Sequence, residues 1–244
     1  MMTESLCRLS LFLPAAWLLI ACAGCSHQAA ALRESHRAHA EVIGPTARVV
    51  YVALGDSTGI GLGARNGGGY VDQLFTKIRR THPDSKLVNL SAAGATVTQV
   101  LEGQIPRLTG TGPTVVTLGI GANDVLAGVD EEQFAEEYER VVTQMISTGP
   151  PVIVLITIPD LDSAPAIRTS GRSDIAPRVS GLNRRIRDIA SRHDLLLADL
   201  HDAGDKEELS RPELFSSDGF HPSDRGYALW ADAIWRTLAP AVDG

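Results

Sequence analysis

Gly55-Asp56-Ser57 and, far downstream, Ser216-Ser217-Asp218-Gly219-Phe220-His221-Pro222 hold the residue types of nucleophilic acyl transfer. A serine hydroxyl is a weak nucleophile until a base takes its proton. A histidine base works best when an acid fixes its tautomer and orientation. Asp218 and His221 stand three residues apart, so one short loop or helical turn can carry acid and base as a unit. Only Ser57 must then be brought in from elsewhere. The expected trio is Ser57 as nucleophile, His221 as base and Asp218 as the orienting acid. Asp56 and Asp124 are the competing carboxylates. Turn aspartates commonly bond nearby backbone, so these two are expected to fix the loops around Ser57 and Asn123.

The elements that must position these residues alternate along the chain. Ala47 to Leu54 is a buried-type strand, and Tyr70 to Arg80 places Val71, Leu74, Phe75 and Ile78 at helical spacing. A short strand over Leu87 to Leu90 precedes a helix candidate from Thr98 to Leu108, with Pro106 near its end. Thr114 to Ile120 reads as a third strand and Glu131 to Thr148 as the clearest helix. Acids crowd the start of that helix, and Phe134, Tyr138, Val141, Val142 and Met145 form its apolar stripe. Val152 to Ile158 is a nearly all-apolar fourth strand, covered on both faces. The segment from Asp160 to Pro177, rich in Pro, Ser, Gly and Asp, reads as a loop beside the pocket. A helix over Arg178 to His193, a fifth strand over Leu195 to Leu200 and a last helix over Asp224 to Leu238 complete the series.

Strands separated by helices imply a parallel sheet with helices on both faces. Ser57 then follows the first strand, Gly94 the second, Asn123 the third, and Asp218 and His221 the fifth. Ligand sites of open α/β sheets form at the carboxyl ends of the strands, so these scattered residues converge on one edge.

Gly55-Asp56-Ser57-Thr58-Gly59 satisfies the G-x-S-x-G pattern of the α/β-hydrolase elbow. That elbow follows several elements, including an oxyanion loop, whereas one strand precedes Ser57. Trypsin-like proteases carry histidine and aspartate upstream of the serine, and no room exists for them here. The chain from Val49 to Leu238 instead resembles the SGNH (GDSL-type) hydrolases. Four blocks occur in order: Gly55-Asp56-Ser57, Asn89-Leu90-Ser91-Ala92-Ala93-Gly94, Gly121-Ala122-Asn123-Asp124 and Asp218-Gly219-Phe220-His221-Pro222. Each block alone is common, while the ordered set is not. Thr58 departs from the leucine of the family pattern. The resemblance implies a flavodoxin-like three-layer α/β/α fold with a five-stranded parallel sheet. It also implies an oxyanion hole formed by the backbone N–H groups of Ser57 and Gly94 and the side-chain amide of Asn123, and chemistry without metal or cofactor.

Composition is ordinary for a soluble globular protein: 244 residues, 44% hydrophobic and 21% charged. A net charge of −7 without a basic cluster argues against a nucleic-acid partner. Gly59-Ile60-Gly61-Leu62-Gly63 lacks the lysine of a phosphate loop and reads as a loop beside the site. Arg8 precedes the apolar run Leu9 to Ala21, which suits a signal-peptide core. All three cysteines, Cys7, Cys22 and Cys25, lie in or beside this segment. Leu19-Ile20-Ala21-Cys22 resembles a bacterial lipobox with Cys22 as the lipidated residue; ordinary cleavage after Ala21-Cys22-Ala23 also fits. The expected organisation is a signal peptide over residues 1–22, a tether over 23–45 and a hydrolase domain over 46–244. The protein is expected to be exported, monomeric and, if lipidated, attached to a membrane. Trp230 and Trp235 read as core, and His82, His193 and His201 as end-of-element residues. Expected substrates are esters of small acyl groups, with a lysophospholipase-like range left open by the family resemblance. The alternatives are O-acetylated envelope or plant polysaccharide and, outside catalysis, a binding lipoprotein.

Overall fold

The computed structural model describes residues 42–44, 47–65, 68–202 and 210–243. The signal segment, Cys22 and most of the expected tether lie outside them. Among the described residues five strands form, β1 (Val50–Gly55), β2 (Lys86–Asn89), β3 (Val115–Gly119), β4 (Val152–Ile156) and β5 (Leu196–Ala198), of which β1, β3 and β4 are apolar runs rich in β-branched residues. They form one parallel sheet in the order β2-β1-β3-β4-β5. Gly55 pairs with Gly119, Gly119 with Ile156 and Ile156 with Ala198, so four strands end on one row. The chain runs from β1 outward to β2 and then returns to place β3 on the other side of β1. That reversal opens a crevice above the β1/β3 pair, where such sheets bind ligands.

Helices cover both faces. α1 (Ser57–Ile60) is a single turn after β1, and α2 (Tyr70–Thr81) follows it. α3 begins as Val97–Gln99, passes through a π-helical stretch, Val100–Gln104, and resumes over Ile105–Leu108. α4 (Ala122–Ala127) and α5 (Glu131–Ser147) follow β3. α6 (Pro165–Ser170) and α7 (Ile175–Arg192) lie between β4 and β5, and α8 (Asp224–Val242) closes the described chain. One core packs α3, α5 and α7 on the sheet through residues such as Leu118, Tyr138 and Ile186. The other packs α2 and α8 through Tyr51, Leu74, Tyr227 and Ile234. Both faces of β4 are covered, and all five of its residues are buried.

Several boundaries differ from the sequence reading for physical reasons. The segment expected to be a loop from Asp160 to Pro177 contains a 3₁₀ turn, Leu161–Ser163, then α6 and the first residues of α7. Leu161, Ala164 and Ile167 are buried, and this anchoring outweighs the turn-forming composition. α8 continues through Pro240 because Ala241 and Val242 are buried beyond it. Ile43 lies inside the segment read as tether, yet it is buried and its N–H donates to Ala241 O at 2.8 Å. His82 caps α2 as an end-of-element residue but is buried. Its ring nitrogens lie 2.9 Å from Ala47 O and 2.9 Å from Val242 O.

Candidate active site

β1 delivers the serine, and Gly55 is where its course is set. A Cβ on Gly55 would lie 2.4 Å from Gly119 O, so only glycine allows β1 and β3 to end this close. Gln104, buried in the π-helical part of α3, takes hold of the same residue. Its Oε1 accepts from Gly55 N at 2.9 Å, and its Nε2 donates to Gly55 O at 2.7 Å. π-helical turns often mark functional positions, and this one aims an amide across the sheet edge. Gln104 had no chemical signature in the sequence; it looked like one more polar residue of a helical pattern.

Asp56 then caps α1. Its Oδ1 accepts from Thr58 N at 2.9 Å and Thr58 Oγ1 at 2.8 Å. Thr58, the departure from the family leucine, therefore locks this carboxylate. Burial raises the Asp56 pKa, against the Thr58 bonds that lower it. Ser57 is the first residue of α1, a position whose N–H has no partner inside a helix. The loop after α1 then packs on the segment that carries His221. A Cβ on Gly63 would lie 2.6 Å from Pro222 O and 2.9 Å from His221 Cβ.

The Asp218/His221 unit is a tight turn. Phe215 and Pro222 form an antiparallel bridge, and Ser216 N donates to His221 O at 2.8 Å. Within the turn, Asp218 Oδ1 accepts from Ser216 Oγ at 2.8 Å, Phe220 N at 2.8 Å and His221 N at 2.9 Å. Its other oxygen, Oδ2, lies 2.6 Å from His221 Nδ1. His221 Nε2 lies 2.9 Å from Ser57 Oγ. Phe220 stands edge-on to the imidazole, with ring centroids 5.1 Å apart. Burial works to raise the Asp218 pKa, but the His221 ring and the three other donors hold it well below the usual carboxylate range. An ionised Asp218 keeps the Nδ1 proton on its own side and turns the Nε2 lone pair towards Ser57.

Asn123 and Asp124 tie the loops after β2 and β3 together. Asn123 Nδ2 donates to Ala95 O at 2.8 Å, which leaves its second N–H free to act elsewhere. Both oxygens of Asp124 accept from Val97 N, at 3.1 and 3.2 Å. Asp124 was expected to bond locally; its partner lies 27 residues away. Burial is the main cause that raises its pKa from 3.8 to about 6. Gly94 is the residue before Ala95, on the loop that Asn123 holds; its φ is +73°, and a Cβ added there would meet nothing within 4 Å.

A cavity of about 290 Å³ opens on Ser57, Thr58 and Asn123 and reaches Trp230, Ala233 and Arg236 of α8. Trp230, read from sequence as core, thus lines the cavity, because it is only partly buried on the α8 face. Tyr70 also lines it; its hydroxyl is buried and unpartnered. Ser57, His221 and Asp218 therefore form one hydrogen-bonded chain, with Asn123 on the same cavity and Gly94 on the adjoining loop. Among the described residues no cluster of His, Cys, Asp or Glu is arranged to hold a metal ion.

A sequence profile described as the GDSL-like Lipase/Acylhydrolase family matches residues 53–229. No curated protein matches the chain in sequence. Among solved structures, TesA superposes with a TM-score of 0.64 at 21% identity, covering 79% of this chain and 99% of its own. The psychrotrophic esterase EstA from Pseudoalteromonas sp. gives 0.61 at 20% identity, covering 80% and 99%. An acetylxylan esterase from Geobacillus stearothermophilus gives 0.65 at 20% identity, covering 79% and 95%. At these identities the structures are similar in fold.

Proposed function

The chain belongs to the GDSL-like lipase/acylhydrolase family, whose members hydrolyse carboxylic esters, and on that premise we propose that Ser57 is the nucleophile of an acyl-enzyme mechanism. The observation that supports this reading most is the continuous chain Ser57 Oγ, His221 Nε2, His221 Nδ1, Asp218 Oδ2, at 2.9 and 2.6 Å.

Ser57 Oγ attacks the ester carbonyl carbon as His221 Nε2 takes its proton, and Asp218 stabilises the imidazolium. Negative charge gathers on the carbonyl oxygen. The N–H groups of Ser57 and Gly94 and the free amide N–H of Asn123 receive it. The tetrahedral adduct collapses, His221 protonates the leaving alcohol, and Ser57 holds the acyl group. Water, deprotonated by His221, then attacks the acyl-enzyme. The carboxylic acid leaves and Ser57 recovers its proton. We take esters of small acyl groups as the substrate range. A shallow polar depression beyond Phe215, lined by Arg65, Ser216, Ser217 and Asp224, supports an O-acetylated carbohydrate as the second reading.

Hydrolysis of p-nitrophenyl acetate tests the assignment. Ser57→Ala and His221→Ala are expected to lose turnover. Asn123→Ala should lower kcat about a hundred- to a thousandfold with the fold intact. Wild-type turnover in either of the first two variants would remove that residue from the reaction.

A further inference from the structure

Gln104 grips both backbone polar groups of Gly55 with its side-chain amide, at the end of the strand that carries the nucleophile. β2 pairs with β1 only as far as Asn89, opposite Ala53. Beyond that point the strand pairing stops, although Ala92 N still reaches Gly55 O at 3.1 Å. Gln104 Oε1 and Nε2 supply an acceptor and a donor in one plane, as the backbone of a neighbouring strand would. Gly55 and Gln104 are both buried, so water is poorly placed to replace either bond.

Ser57 stands two residues further on. α1 is a single turn of four residues, too short to hold its own position, so what fixes it lies outside it. Towards its far end Asn89 Nδ2 donates to Gly59 O at 2.7 Å, but Asn89 is exposed and water competes for that bond. At its entrance Gln104 holds Gly55 from an enclosed position, and the chain passes through Asp56 directly to Ser57. Gln104 itself does not line the cavity at Ser57. Whatever it does for the reaction must pass through Gly55.

We propose that Gln104 is a positioning residue of the hydrolysis: it stands in for the missing strand at Gly55 and so fixes where Ser57 Oγ and Ser57 N–H lie relative to His221 and the substrate carbonyl. The inference rests on Ser57 being the nucleophile. Both groups placed in this way act in the transition state, the oxygen in attack and the N–H on the developing oxyanion. A misplacement of about 1 Å in such a group costs on the order of a hundredfold in rate. Loss of the Gln104 amide therefore falls on kcat and leaves substrate binding, made by other residues, largely alone.

The test is kcat and KM for p-nitrophenyl acetate in Gln104→Met and Gln104→Glu, with circular dichroism giving the folded fraction at each pH. Methionine keeps the length of glutamine without its amide. Gln104→Met should lower kcat per folded molecule about tenfold or more, with KM within about threefold. Gln104→Glu separates positioning from packing, because its shape is nearly unchanged. A neutral glutamic acid offers Gly55 an acceptor and an O–H donor, as glutamine does. The ionised form has no donor and sets an oxygen against Gly55 O. Burial favours the neutral form at low pH, so the ratio of variant to wild-type kcat should lie within about threefold of one at pH 5 and fall about tenfold or more by pH 9. A smaller loss of kcat in Gln104→Met, or a loss carried by KM, overturns the proposal. So does a Gln104→Glu ratio that stays flat across pH, or a Gln104→Glu protein that does not fold at pH 5. If Gln104→Met does not fold, the Gln104→Glu series decides alone. An inactive Ser57→Ala enzyme keeps the reading of Ser57 in all these cases, whereas an active one removes both.

Discussion

Replacing Asp218 by asparagine changes one oxygen to an amide, and the structure specifies how badly that should end. Asp218 Oδ1 accepts from Ser216 Oγ, Phe220 N and His221 N, while Oδ2 faces His221 Nδ1. In Asp218→Asn the two backbone N–H donors require the amide oxygen to stay at the Oδ1 place. The NH₂ group must then face Nδ1 and donate to it. The imidazole proton is forced onto Nε2, 2.9 Å from Ser57 Oγ, where a lone pair is needed. Flipping the amide restores the reactive tautomer but sets NH₂ against two N–H donors. Leaving two or three such groups unsatisfied costs about 4–6 kcal/mol in total, or about 10³- to 10⁴-fold in kcat. Exchanging the orienting aspartate of a serine protease for asparagine costs about as much. The assay is saturating p-nitrophenyl ester hydrolysis, with circular dichroism to confirm the fold. KM should hold within about twofold, because Asp218 touches no substrate in this scheme. Asp218→Ala should be no worse than Asp218→Asn, since an empty site leaves the tautomer free. An Asp218→Asn enzyme with a tenth or more of wild-type kcat would refute the reasoning, as would one clearly better than the alanine variant.

Two further predictions concern stability. Asp124 has a folded pKa raised from 3.8 to about 6, so the folded chain binds its proton more tightly than the unfolded chain. The sign is the reverse of a salt-bridged aspartate: this carboxyl favours folding at low pH, and its contribution is lost as pH rises from about 4 to about 6, by about 3 kcal/mol. Asp124→Asn, which still offers an oxygen to Val97 N–H, should flatten that slope relative to wild type in urea titrations at pH 4 to 7. At pH 7 it should be at least as stable as wild type; an unchanged slope would contradict the assignment. Tyr138 Oη is buried and unpartnered, so Tyr138→Phe should raise stability by about 1–3 kcal/mol. A loss of about 1 kcal/mol or more would show that the hydroxyl is bonded after all.

Much of the sheet is written in local pattern. β1, β3 and β4 are near-continuous apolar, β-branched runs, and the turn residues after them are the ones that reach the site. The ordered blocks around Ser57, Gly94, Asn123 and His221 were therefore legible together with the strands that carry them. What was not legible depends on tertiary contact. α1, α4 and α6 have four, six and six residues, too short to display a helical period. Gln104 matters only because a π-helical turn aims it at Gly55, and neither the turn nor the target is encoded nearby. Asp124 reaches Val97 across 27 residues, so the local-turn argument named its role as a loop fastener but not its partner. Trp230 carries the helical spacing of a core residue. It is nevertheless only half-buried and lines the cavity together with Leu214, Phe215 and Pro222.

The most direct measurement is covalent labelling with a fluorophosphonate, which needs a serine already activated by its base. Intact mass and peptide mapping of wild type should show one adduct, on the peptide that contains Ser57. His221→Ala should label at least about a hundredfold more slowly. A label on another serine, or a His221→Ala variant that labels at the wild-type rate, would contradict the Ser57–His221 assignment at its root.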